Sequence, residues 1–542
     1  MQNDGPDFTD QGFARYVCVM SFLKSRSKIL TRSFGTLAML VLAACVQTPP
    51  PQNAEYSDGY SRDMFEQGYG FISHRYINPV SLRELSVSGL TGLRQLDSKV
   101  EVRESAGRIE VHYNKNLVGS VPEPSGGEPD AWSEATVEAI ALIRRASPDV
   151  HNASAETVFK AVFDNVLKPL DRFSRYDDSE SATEKRAFRD GFGGIGVTIR
   201  MEESDALVIG VNETGPAAKA GVLPEDRITR INGKSIAGWT QRDLVTQLRG
   251  PINTPVRFVL KRPGETNLIP IYLNRAHVVP ETAQVRREDG TAVARLSGFN
   301  VESATRLERL VERQMLSASG PPDGFVLDLR SNPGGRLDVS IGVSDIFLDG
   351  GAISATHGRH PSSRQIFDAK QGDLAQGLPV VVLINGNSAS AAEIVTAALQ
   401  DNGRAIVIGT NSFGKGTVQS VLRLPNNGEI TLTWSRFLAP SGYRLHELGV
   451  LPSVCTHGGG NTKSAETLVP DVQHGRDVLA GRLNTWRATG NSDSANRTRL
   501  REICPSDSGA PDVDLALAKA IIADSELYRA LLHEAKTTVA QR

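Results

Sequence analysis

The apolar run Leu378-Pro-Val-Val-Val-Leu-Ile384 reads as a buried strand, and the small residues after it lead into a helix from Ala391 to Leu399. The same texture runs from Pro280 onward. A strand in "AVARLSGFN" precedes a helix from Ser303 to Ser317. A buried strand in "GFVLDLRSNPGG", Gly324 to Gly335, enters a Gly-Pro loop, a helix follows from Leu337 to Phe347, and "RAIVIGT" is another strand. This βαβα order predicts an α/β core. Upstream, from Gly191, short strands dominate: "GGIGVTIR", "LVIGVN", "PVRFVLKR" and "NLIPIYLNR", with a short helix after Pro216 and a longer one after Trp239. They predict a small α+β module of about ninety residues. Residues 56–100 and 131–176 read as helical, with a hairpin-like alternation at Val100–Val111 between them. Each helical stretch ends in a Leu-Asp phrase, at Leu96-Asp97 and Leu170-Asp171, a weak repeat no stronger than chance similarity. The stretch Val121–Asp130 is a loop, and the polar tail beyond Thr456 ends in a helix near Leu515–Ala535. The expected division is 1–45 leader, 46–55 tether, 56–190 helical N-terminal domain, 191–278 α+β module, 279–455 α/β core and 456–542 helical C-terminal extension.

Composition narrows the function classes. A chain of 542 residues with net charge −2 has no global basic field for nucleic acid, and 6% aromatic content supplies no obvious platform for stacked bases. Ten histidines occur without an HExxH, and four cysteines without a CxxC, so neither a metal nor another cofactor is expected. The front of the chain carries an address. Lys24, Arg26, Lys28 and Arg32 precede the apolar stretch Leu37–Ala44, which ends at Cys45 and is too short to span a bilayer. "LAAC", Leu42 to Cys45, resembles a bacterial lipobox, which implies cleavage before Cys45, lipidation of its thiol and a place on the periplasmic side of the cell envelope. An ordinary secretory signal is the other reading. The polar residues 1–19 leave Met1 and Met20 both open as translation starts, and "TPPPQNA" reads as an extended tether. Export would leave Cys455 and Cys504 in an oxidising compartment and predicts a disulfide between them, two separate buried thiols being the alternative.

The strand-turn-helix around Ser390 has the layout of a nucleophile elbow. The turn lifts the hydroxyl off the sheet, and the helix N-terminus offers unpaired N–H groups where an oxyanion would form. By itself the signal is weak, since a serine at a helix start is usually an N-cap. A base is needed. Lys415 in "NSFGKGTVQ" serves if burial lowers its pKa, with Phe413 and two glycines as a low-dielectric wall and Gln419 as an uncharged orienter. A surface turn lysine is the bland reading.

Taken together, "NGNSASAAEIVTAALQDNGRAIVIGTNSFGKGTVQ", Asn385 to Gln419, resembles the signature of the carboxyl-terminal processing (tail-specific) proteases, and the resemblance extends over Tyr76–Ser453. It implies a crotonase-like core, Ser390 as nucleophile, Lys415 as general base and Gln419 as its orienter. It implies an oxyanion hole from Ala391 and one of Gly334 or Gly335 in "DLRSNPGG". The α+β module resembles a bacterial-protease PDZ domain through "GGIG", "GPAAKAGV" and "RITRINGKSI", which implies that Gly194, Ile195 and Gly196 hold the carboxylate of an apolar or unfolded protein tail. The chain departs from the pattern at Glu225, where the family has Gly, and at Asn387, Ala392 and Ser453. Two other readings compete: a non-catalytic PDZ adaptor, which predicts loss of Ser390, Lys415 or Gln419 and is disfavoured because all three are present, and a Ser-His-Asp hydrolase with His446 as base. Oligomeric state is not legible.

Overall fold

The computed structural model describes residues 56–457, 465–475, 478–479, 482–489, 494–509 and 511–535. The leader, Cys45 and the tether lie outside the described residues.

The centre of the fold is a six-stranded sheet. Its order is Ala283–Glu288, Thr291–Leu296, Phe325–Asp328, Val380–Ile384, Ile406–Gly409 and Val454–Cys455. The first pair is antiparallel and the rest are parallel. A parallel sheet needs both faces covered, and its strands are then apolar throughout. Val380–Ile384 shows how. Val380, Val382 and Ile384 enter one core with the helices Ser303–Met315, Leu337–Asp345 and Ala391–Asp401. Val381 and Leu383 enter a second core, closed by Val472, Leu517, Ile521 and Leu531 of the C-terminal helices. The segment after 455, expected as an appended extension, therefore builds the second helical layer of this sheet. Its last stretch is two helices, Pro511–Ala523 and Ser525–Ala535, joined at Asp524, whose carboxylate accepts from Glu526 and Leu527 N–H.

A second, antiparallel sheet runs Gln365–Asp368, Ala352–His357, Glu429–Leu438 and Thr417–Arg423, with Arg175–Asp177 of the N-terminal region added on Glu429–Leu438. The hairpin from Thr417 to Leu438, turned at Asn426-Asn427-Gly428, is bulged between Val418 and Gln419.

The N-terminal region, expected to be helical, is mixed. The helices Asp58–Arg75, Leu82–Thr91, Pro129–Ala146 and Ala155–Leu167 share one core with the antiparallel sheet Val100–Ser105, Arg108–Tyr113 and Asn116–Pro122. The hairpin is there, but its third strand, Asn116–Pro122, was not anticipated, and its last two residues fall in the stretch expected as a loop. In that strand only Val121 is fully buried, so the two-residue period is faint. The α+β module has its own small core around Ile195, Val208, Ile228 and Leu244, and its sheet ends at an edge strand, Val197–Met201. Glu225 takes φ +72°, the left-handed conformation that glycine adopts without strain.

Candidate active site

Ser390 sits between the buried strand Val380–Ile384 and the buried helix Ala391–Asp401, at φ +57° and ψ −113°. A non-glycine residue held there stores backbone strain, which persists only where its neighbours over-determine it. Those neighbours are visible. Asn385 Oδ1 accepts from Ser331 N–H (2.8 Å) and Asn387 N–H (3.1 Å). Ser388 Oγ accepts from Asn385 N–H (2.9 Å) and donates to Leu329 O (2.8 Å). Ser388 is thus fully buried and ties the turn to the neighbouring loop. The helix beyond is stopped by Gly403 at φ +64°, whose N–H and that of Arg404 return to Gln400 O and Leu399 O.

The loop Ser331–Arg336 lies against this turn. A Cβ on Gly334 would fall 2.8 Å from Ser390 Cβ and 2.9 Å from Ala391 N, and one on Gly335 would fall 2.1 Å from Phe299 O. Only glycines let this loop come so close. Their N–H groups differ. Gly334 N–H donates to Asn332 Oδ1 (2.9 Å), whereas Gly335 N–H and Ala391 N–H have no acceptor among the described residues.

Glu393, three residues after Ser390, is fully buried and joins the two halves of the site. Its Oε2 accepts from Ser390 N–H (2.7 Å) and Lys415 N–H (2.9 Å). Its Oε1 accepts from Gly414 N–H (2.7 Å) and the Ser412 hydroxyl (2.5 Å). Burial pushes this carboxyl up, against the pull of those donors. The flanking glycines let the Lys415 loop pack on 445–449, since a Cβ on Gly416 would meet His446 N at 2.1 Å.

Lys415 is held below its ordinary value, at about 8. Burial is the main cause and the Arg175 guanidinium adds to it, while Glu393 and Asp171 pull the other way. The apolar wall is not Phe413, which is 43% exposed. It is Phe173, from the N-terminal region, whose ring centroid lies 5.2 Å from Lys415 Nζ. Phe413 fails in this role because the Lys415 loop turns it outward, under the Arg172 guanidinium. Gln419 donates from its amide nitrogen to Thr417 Oγ1 (2.9 Å) and Thr433 Oγ1 (3.3 Å). Among the described residues no hydrogen bond joins Lys415 to Ser390 or to Gln419, but all three line one cleft of about 780 Å³ with Gly334, Gly335 and Ala391. His446 does not line it; its ring packs edge-on against Phe173, at 6.1 Å between centroids.

Away from the cleft, Ile195 O accepts from Ala217 N–H and Gly196 O accepts from Asn212 N–H. In a trans peptide the next N–H points the opposite way, so Gly196 and Val197 N–H face away from those partners. On the exposed edge of Val197–Met201, the Gln241 amide donates to Ile199 O and accepts from Met201 N–H, both at 3.1 Å. Cys455 and Cys504 form a disulfide, with Cα atoms 6.0 Å apart. It fixes the segment bearing Arg501, which donates to Leu448 O (2.6 Å) and Ser412 O (2.9 Å) behind the Lys415 loop.

Comparison with known proteins agrees with this layout. Residues 290–455 match the model of peptidase family S41, and residues 193–273 match that of the PDZ domain. The carboxy-terminal-processing protease of Bartonella bacilliformis is 38% identical over 330 residues, covering 60% of this chain and 74% of that protein. The chain belongs to the carboxy-terminal-processing protease family. The carboxy-terminal processing protease CtpA of Bacillus subtilis is 32% identical over 286 residues, 52% of this chain and 60% of that protein. Among solved structures, the photosystem II D1 C-terminal processing protease aligns with 81% of this chain and 99% of its own at 20% identity, with a TM-score of 0.37.

This carboxy-terminal-processing protease is a serine-type peptidase with a PDZ domain. Its cleft brings together Ser390, Lys415, Gln419, Ala391, Gly334 and Gly335, whereas Gly194, Ile195 and Gly196 lie in the PDZ domain, outside the cleft lining. Sequence reasoning missed Glu393, although Ser-x-x-Glu ahead of an apolar run is a capping-box signal. It also missed Asp171 and Phe173, which sit some 240 residues before the lysine they surround; local spacing carries no sign of that.

Proposed function

We propose that the chain is an endopeptidase that holds the C-terminal tails of exported proteins on its PDZ domain and cuts peptide bonds with a Ser390–Lys415 pair. The observation that carries this reading is Lys415 at about 8 in the cleft that holds Ser390 at its strained φ. Near neutral pH an appreciable fraction of such a lysine is uncharged and able to act as a base. Neutral Lys415 takes the Ser390 proton, and the alkoxide attacks the substrate carbonyl carbon. The oxyanion is held by Ala391 and Gly335 N–H, a choice supported by the engagement of Gly334 N–H with Asn332. Lys415 returns its proton to the leaving amine, and water then releases the acyl group with the same base. Gln419 supplies an uncharged acceptor for Lys415, which favours the neutral amine more than a carboxylate would.

At the PDZ domain, the Gly194-Ile195-Gly196 segment receives the tail carboxylate, through Gly196 N–H and the adjoining Val197 N–H, and the tail extends as a strand along Val197–Met201. Lipid attachment at Cys45 places the enzyme on the periplasmic side of the envelope. The signal-like leader supports this, as does a disulfide of the kind that persists in oxidising compartments. Unfolded substrates that differ only in their last residues test the function. Wild type should cut apolar-tailed substrate faster than charged-tailed substrate, and Ser390→Ala should cut neither. Tail-independent cutting overturns the PDZ part, and activity in Ser390→Ala overturns the nucleophile.

A further inference from the structure

Gln419 faces Thr433 directly across the hairpin, and Thr433 in turn touches Asp171 of the N-terminal region. We infer that Asp171, acting through Thr433, is a positioning residue that decides which end of the Gln419 amide is presented to Lys415. The inference rests on the role proposed above for Gln419.

The two ends of a carboxamide are nearly the same size, and only the surrounding hydrogen bonds tell them apart. Thr433 Oγ1 is 3.1 Å from Asp171 Oδ1 and 3.3 Å from the Gln419 amide nitrogen. An ionised carboxylate can only accept, so the single Thr433 hydroxyl proton points to Asp171. Thr433 Oγ1 is left with lone pairs and must receive an N–H, which Gln419 supplies. The second amide proton goes to Thr417 Oγ1 at 2.9 Å. Both protons are then engaged, and the Gln419 oxygen has no partner among the described residues. The reversed amide would set its oxygen against a Thr433 oxygen whose proton already lies on Asp171, two acceptors in contact. Polarity therefore propagates from the carboxylate through one hydroxyl to the glutamine.

The chemistry needs this polarity. A neutral Lys415 must turn its lone pair toward the Ser390 hydroxyl, so one of its N–H groups needs an acceptor on another side. The Gln419 oxygen is such an acceptor, and a reversed NH2 would instead repel the amine protons.

Asp171 is well fixed for the task. Its Oδ1 accepts from Phe173 N–H (2.7 Å) and Ser174 N–H (2.9 Å), and its Oδ2 from the Ser174 hydroxyl (2.7 Å). Ser174 Oγ accepts from Thr433 N–H at 3.1 Å, which pins the relay from the far side. The same turn holds Phe173 under Lys415. One carboxylate thus orders both the apolar wall of the base and the orientation of its acceptor.

The test is Thr433→Val in full-length protein, measured with and without Gln419→Ala, using an unfolded apolar-tailed substrate. Thr433→Val should lower kcat roughly ten- to a hundredfold with little change in KM, the scale of a misplaced catalytic contact. Thr433→Ser, which keeps the hydroxyl, should restore kcat. In the Gln419→Ala background, Thr433→Val should add nothing further. An equal loss in both backgrounds, or no loss where Gln419 is intact, overturns the relay. If Gln419→Ala alone leaves kcat unchanged, the role of Gln419 falls and this inference falls with it. Asp171→Asn, whose amide oxygen can still accept from Thr433, should retain more activity than Asp171→Ala; the reverse order overturns Asp171 as the source of polarity.

Discussion

Replacing Arg175 by Gln should move the pH dependence of catalysis to higher pH and leave its plateau in place. On the proposed mechanism Lys415 acts as a base only when neutral, so kcat/KM should rise with pH through its free-enzyme pKa. With that value at about 8, the neutral fraction is about 0.09 at pH 7 and about 0.9 at pH 9, a tenfold rise over two units. Arg175 lowers the Lys415 value by like-charge repulsion, from a side chain 45% exposed and already paired with Asp177. Without it the limb shifts upward, the loss is greatest at pH 7, and wild-type rates return above pH 9. Phe173→Ala admits water to the ammonium and should shift the limb the same way. Loss of the ring's cation–π contact, worth about 1 kcal/mol, opposes part of that shift. The assay is kcat/KM from pH 6 to 10 on a quenched peptide. A wild-type limb near 6, or one that Arg175→Gln lowers or leaves unmoved, refutes the reasoning.

Other expectations follow from the same contacts. The Lys415 value lies below that of the unfolded chain, so the unfolded chain binds more protons between about pH 8 and the ordinary lysine range, and stability rises with pH across that window. Lys415→Met should therefore be more stable than wild type at pH 7, by on the order of 3 kcal/mol, with the gap in melting temperature closing as pH rises. Glu393→Gln puts an NH2 group where two donors meet an oxygen; it should cost about 1–3 kcal/mol in denaturant unfolding and at least tenfold in kcat. Reduction of Cys455–Cys504 reopens a 49-residue separation, worth about 4 kcal/mol of chain entropy. It should lower the melting temperature, and activity should fall before global unfolding as Arg501 loosens its hold on Ser412 O. Gln241→Ala should tighten apolar tail-peptide binding to the Ser390→Ala protein several-fold, because the tail no longer competes for Ile199 O; weaker binding in a titration would show instead that Gln241 reads the tail.

The parallel strands and the Ser390 elbow were legible because a strand buried on both faces is apolar without interruption, as Val380–Ile384 is, and because a serine before a small-residue helix leaves a pattern. The lysine was found through a short motif that carries its own glycines. Its environment was not legible. Phe173, Arg175 and Asp171 reach Lys415 only after a strand of the N-terminal region joins the sheet that bears Gln419, and such long-range pairing has no period to read. The preference for Gly335 over Gly334 in the proposed oxyanion hole likewise rests on one bond, from Gly334 N–H to Asn332, which sequence does not encode locally. The C-terminal helices were visible as helices, but their place over the sheet needed the alternation of Val381 and Leu383 to be read as a second core.

The most direct test of the account is turnover of one apolar-tailed substrate by Ser390→Ala, Lys415→Ala and His446→Ala proteins shown to be folded. The account predicts loss of about a thousandfold or more for the first two, the scale of removing a nucleophile or its base. The His446 ring packs against Phe173 and does not line the cleft, so its variant should retain most activity. Near-wild-type turnover by Lys415→Ala, with loss in His446→Ala, would contradict it.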